Sequence, residues 1–196
     1  MKTVLKLSLS LACMASLSAC VTTRAYVDPQ YRLASPDSVQ RLAQPIPVKV
    51  VTEFRTNGAP TAAATPVLQR QVEQALLAGG VFAPTSDANA VAIIHVTAND
   101  VTDLKDAHKK GVHYGLTFGT SGIEVNDDYE FTVTYRNGTR GDYNSVYKHA
   151  IHSTIGDVGA PAGVTPTTTA DAFSHVVQDV MLNFTQEAQS KGLTAS

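Results

Sequence analysis

Tryptophan is absent from this chain, so the indole anchors that many interfaces and carbohydrate platforms use are missing. Cysteine is almost as scarce: Cys13 and Cys20 are the only two in 196 residues. Charge of either sign is sparse as well, with 15 basic and 17 acidic side chains and no basic tract. A phosphate backbone would find no electrostatic footprint on such a chain, and no nucleic-acid partner is expected. No apolar run is long enough to span a bilayer. What is present is a 43% apolar content, enough for a real core, in a length that allows one modest domain.

The first twenty residues carry an address. Lys2 and Lys6 supply a positive start, Leu7 to Ala15 a short apolar stretch, and Leu17-Ser18-Ala19-Cys20 a run of mostly small residues. That order is an export leader rather than a structural helix. Its last four residues resemble the bacterial lipobox, in which the cysteine sulfur receives diacylglycerol and the leader is cut before it. The resemblance implies a signal peptide over 1–19, lipidation at Cys20 (with palmitate among its acyl groups), and a membrane partner reached through those chains. It also implies passage to the outer membrane, because Val21 stands where an aspartate commonly retains such proteins in the inner one. The exported chain then holds 13 basic against 17 acidic groups. With Cys13 removed and Cys20 acylated, it can form no internal disulfide, thiolate cluster or redox pair. Its fold must rest on packing.

Residues 20–44 read as the lipidated cysteine and a tether, broken up by Pro29 and Pro36, and 45–192 as a single periplasmic domain. Ile46 to Phe54 alternates at period two, the signature of a strand. Asn57-Gly58-Ala59-Pro60 turns the chain. Thr65 is expected to cap a helix starting at Pro66, with Leu68, Val72, Ala75 and Leu76 on one face and Gly79-Gly80 ending it. Ala90 to Ala98 reads as an interior strand buried on both sides. Val112 to Phe118 reads as an irregular strand among glycines. Tyr129, Phe131, Val133 and Tyr135 alternate with polar residues in the clearest strand of the chain. Asn137-Gly138 predicts a type I′ hairpin, lengthened if Thr139 to Gly141 join the loop, with a return strand over Asp142–Ser153. After a Gly/Pro/Thr loop, a last helix begins near Thr169 and stops near Gly192. The order β-α-β-(β)-β-β-α predicts an α+β domain: a mainly antiparallel sheet with two helices packed on one face.

From the first strand through Gly80-Val81-Phe82 to the next apolar strand, this arrangement resembles the domain of small Gram-negative envelope lipoproteins. These are the YajG-like, LptE-like and transport-auxiliary groups and the periplasmic domain of the curli secretion lipoprotein. The resemblance implies a periplasm-facing accessory or assembly role without catalysis. No segment matches the pore-forming hairpins of the curli protein, so channel function is not implied.

Few side chains fall into a pattern that carries chemistry. His149 and His152, three apart on a strand, point to opposite faces and are not expected to share a metal. His95 reads as a core or edge residue. His108 and His113, with Asp103 and Asp106, form a weak candidate for a divalent-metal patch. Asp127-Asp128 lacks the oxygen-ligand pattern of a calcium loop and reads as a solvated turn. No nucleophile elbow, phosphate loop or dinucleotide fingerprint occurs. Tyr129, Tyr135, Tyr143 and Tyr147 cluster on the hairpin strands and are the candidate interaction residues, should the hairpin stand at a sheet edge. The leading expectation is a lipid-anchored, non-enzymatic envelope protein without cofactors that contacts an envelope protein partner. The alternatives are a lipoprotein binding a small ligand, peptidoglycan or divalent metal, and an unrecognised hydrolytic enzyme.

Overall fold

A computed structural model describes residues 23–31, 34–87, 90, 92–102, 123–138, 141–156 and 159–194. Seven strands form one sheet: β1 (Thr23–Val27), β2 (Ile46–Thr56), β3 (Ala59–Pro60), β4 (Phe82–Pro84), β5 (Ala92–Val101), β6 (Ile123–Asn137) and β7 (Gly141–Ile155). Two helices, α1 (Thr65–Gly79) and α2 (Thr169–Ser190), share its core. The strand order is β1-β7-β6-β5-β2-β3, with β4 also on β2. The fold is α+β, and its sheet is antiparallel except where β2 runs parallel to β4 and β5.

Alternation sets which face is buried. Val48 and Val50 of β2, Ala92, Ile94, Val96 and Ala98 of β5, and Phe131, Val133 and Tyr135 of β6 are buried in one layer. On β5 the intervening Ile93, His95 and Thr97 are only half-buried, so this strand is covered fully on one side rather than on both. Helix α1 supplies Leu68, Val72, Ala75 and Leu76 to the core, and α2 supplies Val176, Val177, Val180, Met181 and Phe184. An aromatic seam joins the layers: the Phe184 ring lies 5.8 Å from Phe82 and 6.4 Å from Tyr135.

Several local expectations change. Residues 23–31 and 34–42 do not form a free tether. β1 pairs with β7 from Thr23↔Ile155 to Val27↔Ile151, and Val39 is buried in the core. Docking satisfies backbone groups that a solvated tether would leave to water. Thr65 is the first residue of α1 and not its cap. Its Oγ1 instead accepts from the Phe54 N–H (3.1 Å), tying the helix start to the edge of β2. Gly80 does end α1 in the left-handed region at φ 70°, its N–H donating to the Leu76 carbonyl (3.2 Å). The tight two-residue turn falls at Asn57-Gly58, both at positive φ, between the paired Thr56 and Ala59. At the second hairpin Asn137 pairs with Gly141, whose φ is 84°, so the loop takes three residues and the positive φ sits at its end. Asp127 lies within β6, half-buried, rather than in a solvated turn. The signal peptide, Cys20 and the strand expected over Val112–Phe118 lie outside the described residues.

Phe184 is fully buried between helix and sheet, and removing its ring leaves a cavity among Phe82, Tyr135 and Tyr143. Phe184→Ala is expected to cost about 3–5 kcal/mol of stability, read as a lowered urea midpoint with an unchanged slope.

Candidate interaction surface

The four hairpin tyrosines all occupy odd positions, and the β6–β7 register turns every one toward the helices. Tyr135 is fully buried, and Tyr129 is nearly so, its ring 5.3 Å from Phe173. They pack the core and are not presented to a partner. Burial, helped by the Asp100 and Asp127 carboxylates, pushes the Tyr129 phenol far up. Those two carboxyls are themselves raised by burial, with Thr102 Oγ1 donating to Asp100 (2.6 Å).

Tyr143 and Tyr147 end at a carboxylate. Glu187 Oε2 on α2 accepts from Tyr143 Oη (2.6 Å), Tyr147 Oη (2.8 Å) and Ser145 Oγ (2.9 Å). Burial alone would raise Glu187, but the donated hydroxyls, with Lys191 nearby, outweigh it and hold the carboxyl below its ordinary value. Burial and the hydrogen bond to Glu187 push the Tyr143 phenol up. Three consecutive odd positions of β7 are thereby pinned to one point on α2.

The even positions of β7 are the ones that face outward. Asp28 N–H donates to the Ala150 carbonyl (2.9 Å), so even-numbered β7 residues turn their N–H and C=O groups toward β1. β1 covers only Ile151–Ile155 by direct pairing. By the same alternation, the backbone groups of Asp142, Asn144, Val146 and Lys148 point at an edge that no strand among the described residues occupies. Val146, at its middle, is 52% exposed. The opposite edge is dressed instead: Val48 O accepts from Thr85 N (2.9 Å), Val50 O from Gln69 Nε2 (3.2 Å), and Phe54 O from Thr61 N (2.8 Å).

The histidines separate as the strand period requires. His149 is buried on the helix side, its Nε2 2.7 Å from Asp179 Oδ2, and Asp179 also accepts from the Ala34 N–H. The Tyr31 ring covers His149 at 5.2 Å, and His149 Nδ1 has no partner among the described residues. A cleft of about 380 Å³ opens there, lined also by Tyr129 and Lys148. On the other face, His152 stacks on Tyr26 (4.9 Å), with Nε2 3.0 Å from Asp28 and Nδ1 2.9 Å from Glu124. Both ring nitrogens therefore lie within hydrogen-bond reach of carboxylate oxygens. Burial would raise Asp28, but hydrogen bonds from Gln30 and His152 hold it low. A larger cleft, about 540 Å³, lies between Val27, Pro36, residues 164–167 and Leu182 of α2. Asp103, Asp106, His108 and His113 lie outside the described residues; among those described, no three His, Cys, Asp or Glu side chains converge on a metal position.

No protein-family model matches this chain, and no curated protein does. Among solved structures it is similar to a dodecameric PelC variant from Paraburkholderia phytofirmans, at 14% identity and a TM-score of 0.39, covering 85% of this chain and 97% of that one. It is also similar to a candidate lipoprotein from Caulobacter crescentus CB15, at 10% identity and a TM-score of 0.30, covering 75% of this chain and 87% of that one. Both scores fall below the level from which a shared fold or role can be read.

Sequence reasoning does not single out the outward residues Asp142, Asn144, Val146 and Lys148, because the tyrosines between them draw attention. The available signal is their strict polar-or-exposed spacing at period two. Glu187 also escapes it, being one acid on a helical face some forty residues away.

Because the folded-state pKa of Glu187 is depressed, its stabilisation is present above the ordinary carboxylate value near 4.5 and fades as pH falls through the lower folded value. Glu187→Gln is expected to lose about 1–3 kcal/mol at pH 7. Urea titrations from pH 7 to pH 3 would then show a shallower acid loss in the variant than in the parent chain.

Proposed function

We propose that this chain is a lipid-anchored, non-enzymatic accessory protein of a Gram-negative envelope. It is held at the periplasmic face of the outer membrane through acyl groups on Cys20 and works by protein–protein contact at the open edge of β7. The observation that carries the contact is the run of outward backbone groups from Asp142 to Lys148, set against an opposite edge capped by Thr85, Gln69 and Thr61. Unpaired strand edges are templates for strand addition, and proteins that do not use them cover, twist or charge them. One edge here is covered. The anchoring half rests on Leu17-Ser18-Ala19-Cys20 and the leader before it.

A second reading, binding of a small ligand, is favoured by the cleft at His149, where a buried ring nitrogen faces no partner among the described residues. That nitrogen is equally served by one ordered water, so strand addition is the better-supported role.

Two variants test the halves separately. Cys20→Ser is expected to abolish labelling by an alkynyl palmitate analogue and to release the protein from the outer-membrane fraction. Val146→Pro removes an outward N–H that bonds nothing within the sheet, a substitution edge strands tolerate. It should shift the melting temperature by only a few degrees while removing the partner recovered after in-cell cross-linking. Undiminished recovery with Val146→Pro would count against the β7 edge as the contact.

A further inference from the structure

Resting on that reading of the edge, we propose that its occupant is a second copy of this chain. The two β7 strands run antiparallel about a two-fold axis at Ser145, each Asp142 opposite the partner's Lys148.

Three features select this arrangement. The first is register. Only even positions aim their backbone groups outward, so a pairing that exchanges hydrogen bonds must set even against even. Centred on Ser145, it joins Asp142 to the partner's Lys148 and Asn144 to the partner's Val146, and each pair then recurs by symmetry. Moving the centre to residue 144 sets Asp142 against Val146, and moving it to residue 146 sets Lys148 against Asn144. Only the register centred on Ser145 matches opposite charges, and a parallel pairing in register would oppose lysine to lysine.

The second is charge continuity. Within one copy Arg136 lies 3.7 Å from Asp142 and Lys148 lies 3.9 Å from Glu130, all four exposed on the face away from the helices. Across the axis these become rows of Arg136, Asp142, the partner's Lys148 and the partner's Glu130, alternating in sign. Each exposed pair is weak alone, and the rows add register rather than bulk affinity.

The third is closure. Gly141 falls opposite the partner's His149, one residue short of Ala150, whose carbonyl Asp28 already occupies on the same edge (2.9 Å). The paired stretch therefore fits the gap that β1 leaves. With β2 capped at Val48, Val50 and Phe54, and the outer side of β1 bridged to Thr167 at Ala25, pairing at β7 uses up the open stretch of that strand in each copy and stops at two instead of growing into a fibre.

The test uses the full-length chain in intact envelopes. Ser145→Cys places two thiols at the axis, in a non-hydrogen-bonded pair whose Cα atoms are about 4.5 Å apart, within disulfide range. Mild oxidation is expected to give a reducible species of twice the monomer mass. Its yield should fall at least about fivefold when Asp142→Lys or Lys148→Asp is added, and return when both are combined, which reverses the pair. Native mass spectrometry of the unmodified protein released from detergent should show the dimer as well, independently of whether the cysteine variant folds.

Monomer alone in both experiments would overturn the proposal, as would a disulfide-linked dimer of Ser145→Cys that is indifferent to the charge changes. Capture of a different protein by the Ser145→Cys thiol with a bifunctional thiol reagent, without the dimer, would also overturn it while leaving the edge a contact site. If the Ser145→Cys variant joined neither a second copy nor any other protein, the edge reading itself would fail.

Discussion

The unbroken register across β5, β6 and β7 is the constraint on which everything else depends. Ala98↔Phe131 and Phe131↔Tyr147 belong to ladders without a bulge, so every second residue of all three strands faces the helices. A slip of one position in β6 would turn Phe131, Val133 and Tyr135 to solvent and bury Thr132 and Thr134. The aromatic seam at Phe184, the Glu187 knot and the outward groups of β7 all inherit their positions from this alternation.

Much of this was legible locally. Clean period-two runs at Ile46–Phe54 and Tyr129–Tyr135, the helical spacing of Leu68, Val72 and Leu76, and the left-handed Gly80 are short-range signals, and the structure realises each. The opposite facing of His149 and His152 follows from the strand period alone. What was not legible depends on distant partners. β1 is five residues long with no sustained pattern, and only pairing with residues about 130 positions later makes it a strand. Thr65 has the local marks of a helix cap, but the Phe54 N–H, eleven residues earlier, takes its oxygen. The Asn-Gly signal occurs twice, and only tertiary register distinguishes the two-residue loop at Asn57 from the three-residue loop after Asn137.

The site shows the same division. Hairpin tyrosines attract attention because large amphipathic rings are common at interfaces, yet the face they share is the one α2 needs for its own burial. The positions left for contact are the unremarkable residues between them. Function at a sheet edge is a property of backbone groups, which every sequence carries equally, and it becomes visible only when the neighbouring strand is known to end.

Under the proposed anchoring at Cys20, the short span to β1 would set how far the domain can move. Thr23 is already the first residue of a strand in the sheet, three positions after the cysteine. At most about 3.5 Å per residue, that leaves a leash of roughly 10 Å. A chain acylated at Cys20 would not swing through the periplasm on a long arm but ride close against the lipid headgroups, diffusing in two dimensions. Confinement of that kind raises the encounter frequency of anything else held on the same leaflet and favours contacts too weak to persist in bulk solution.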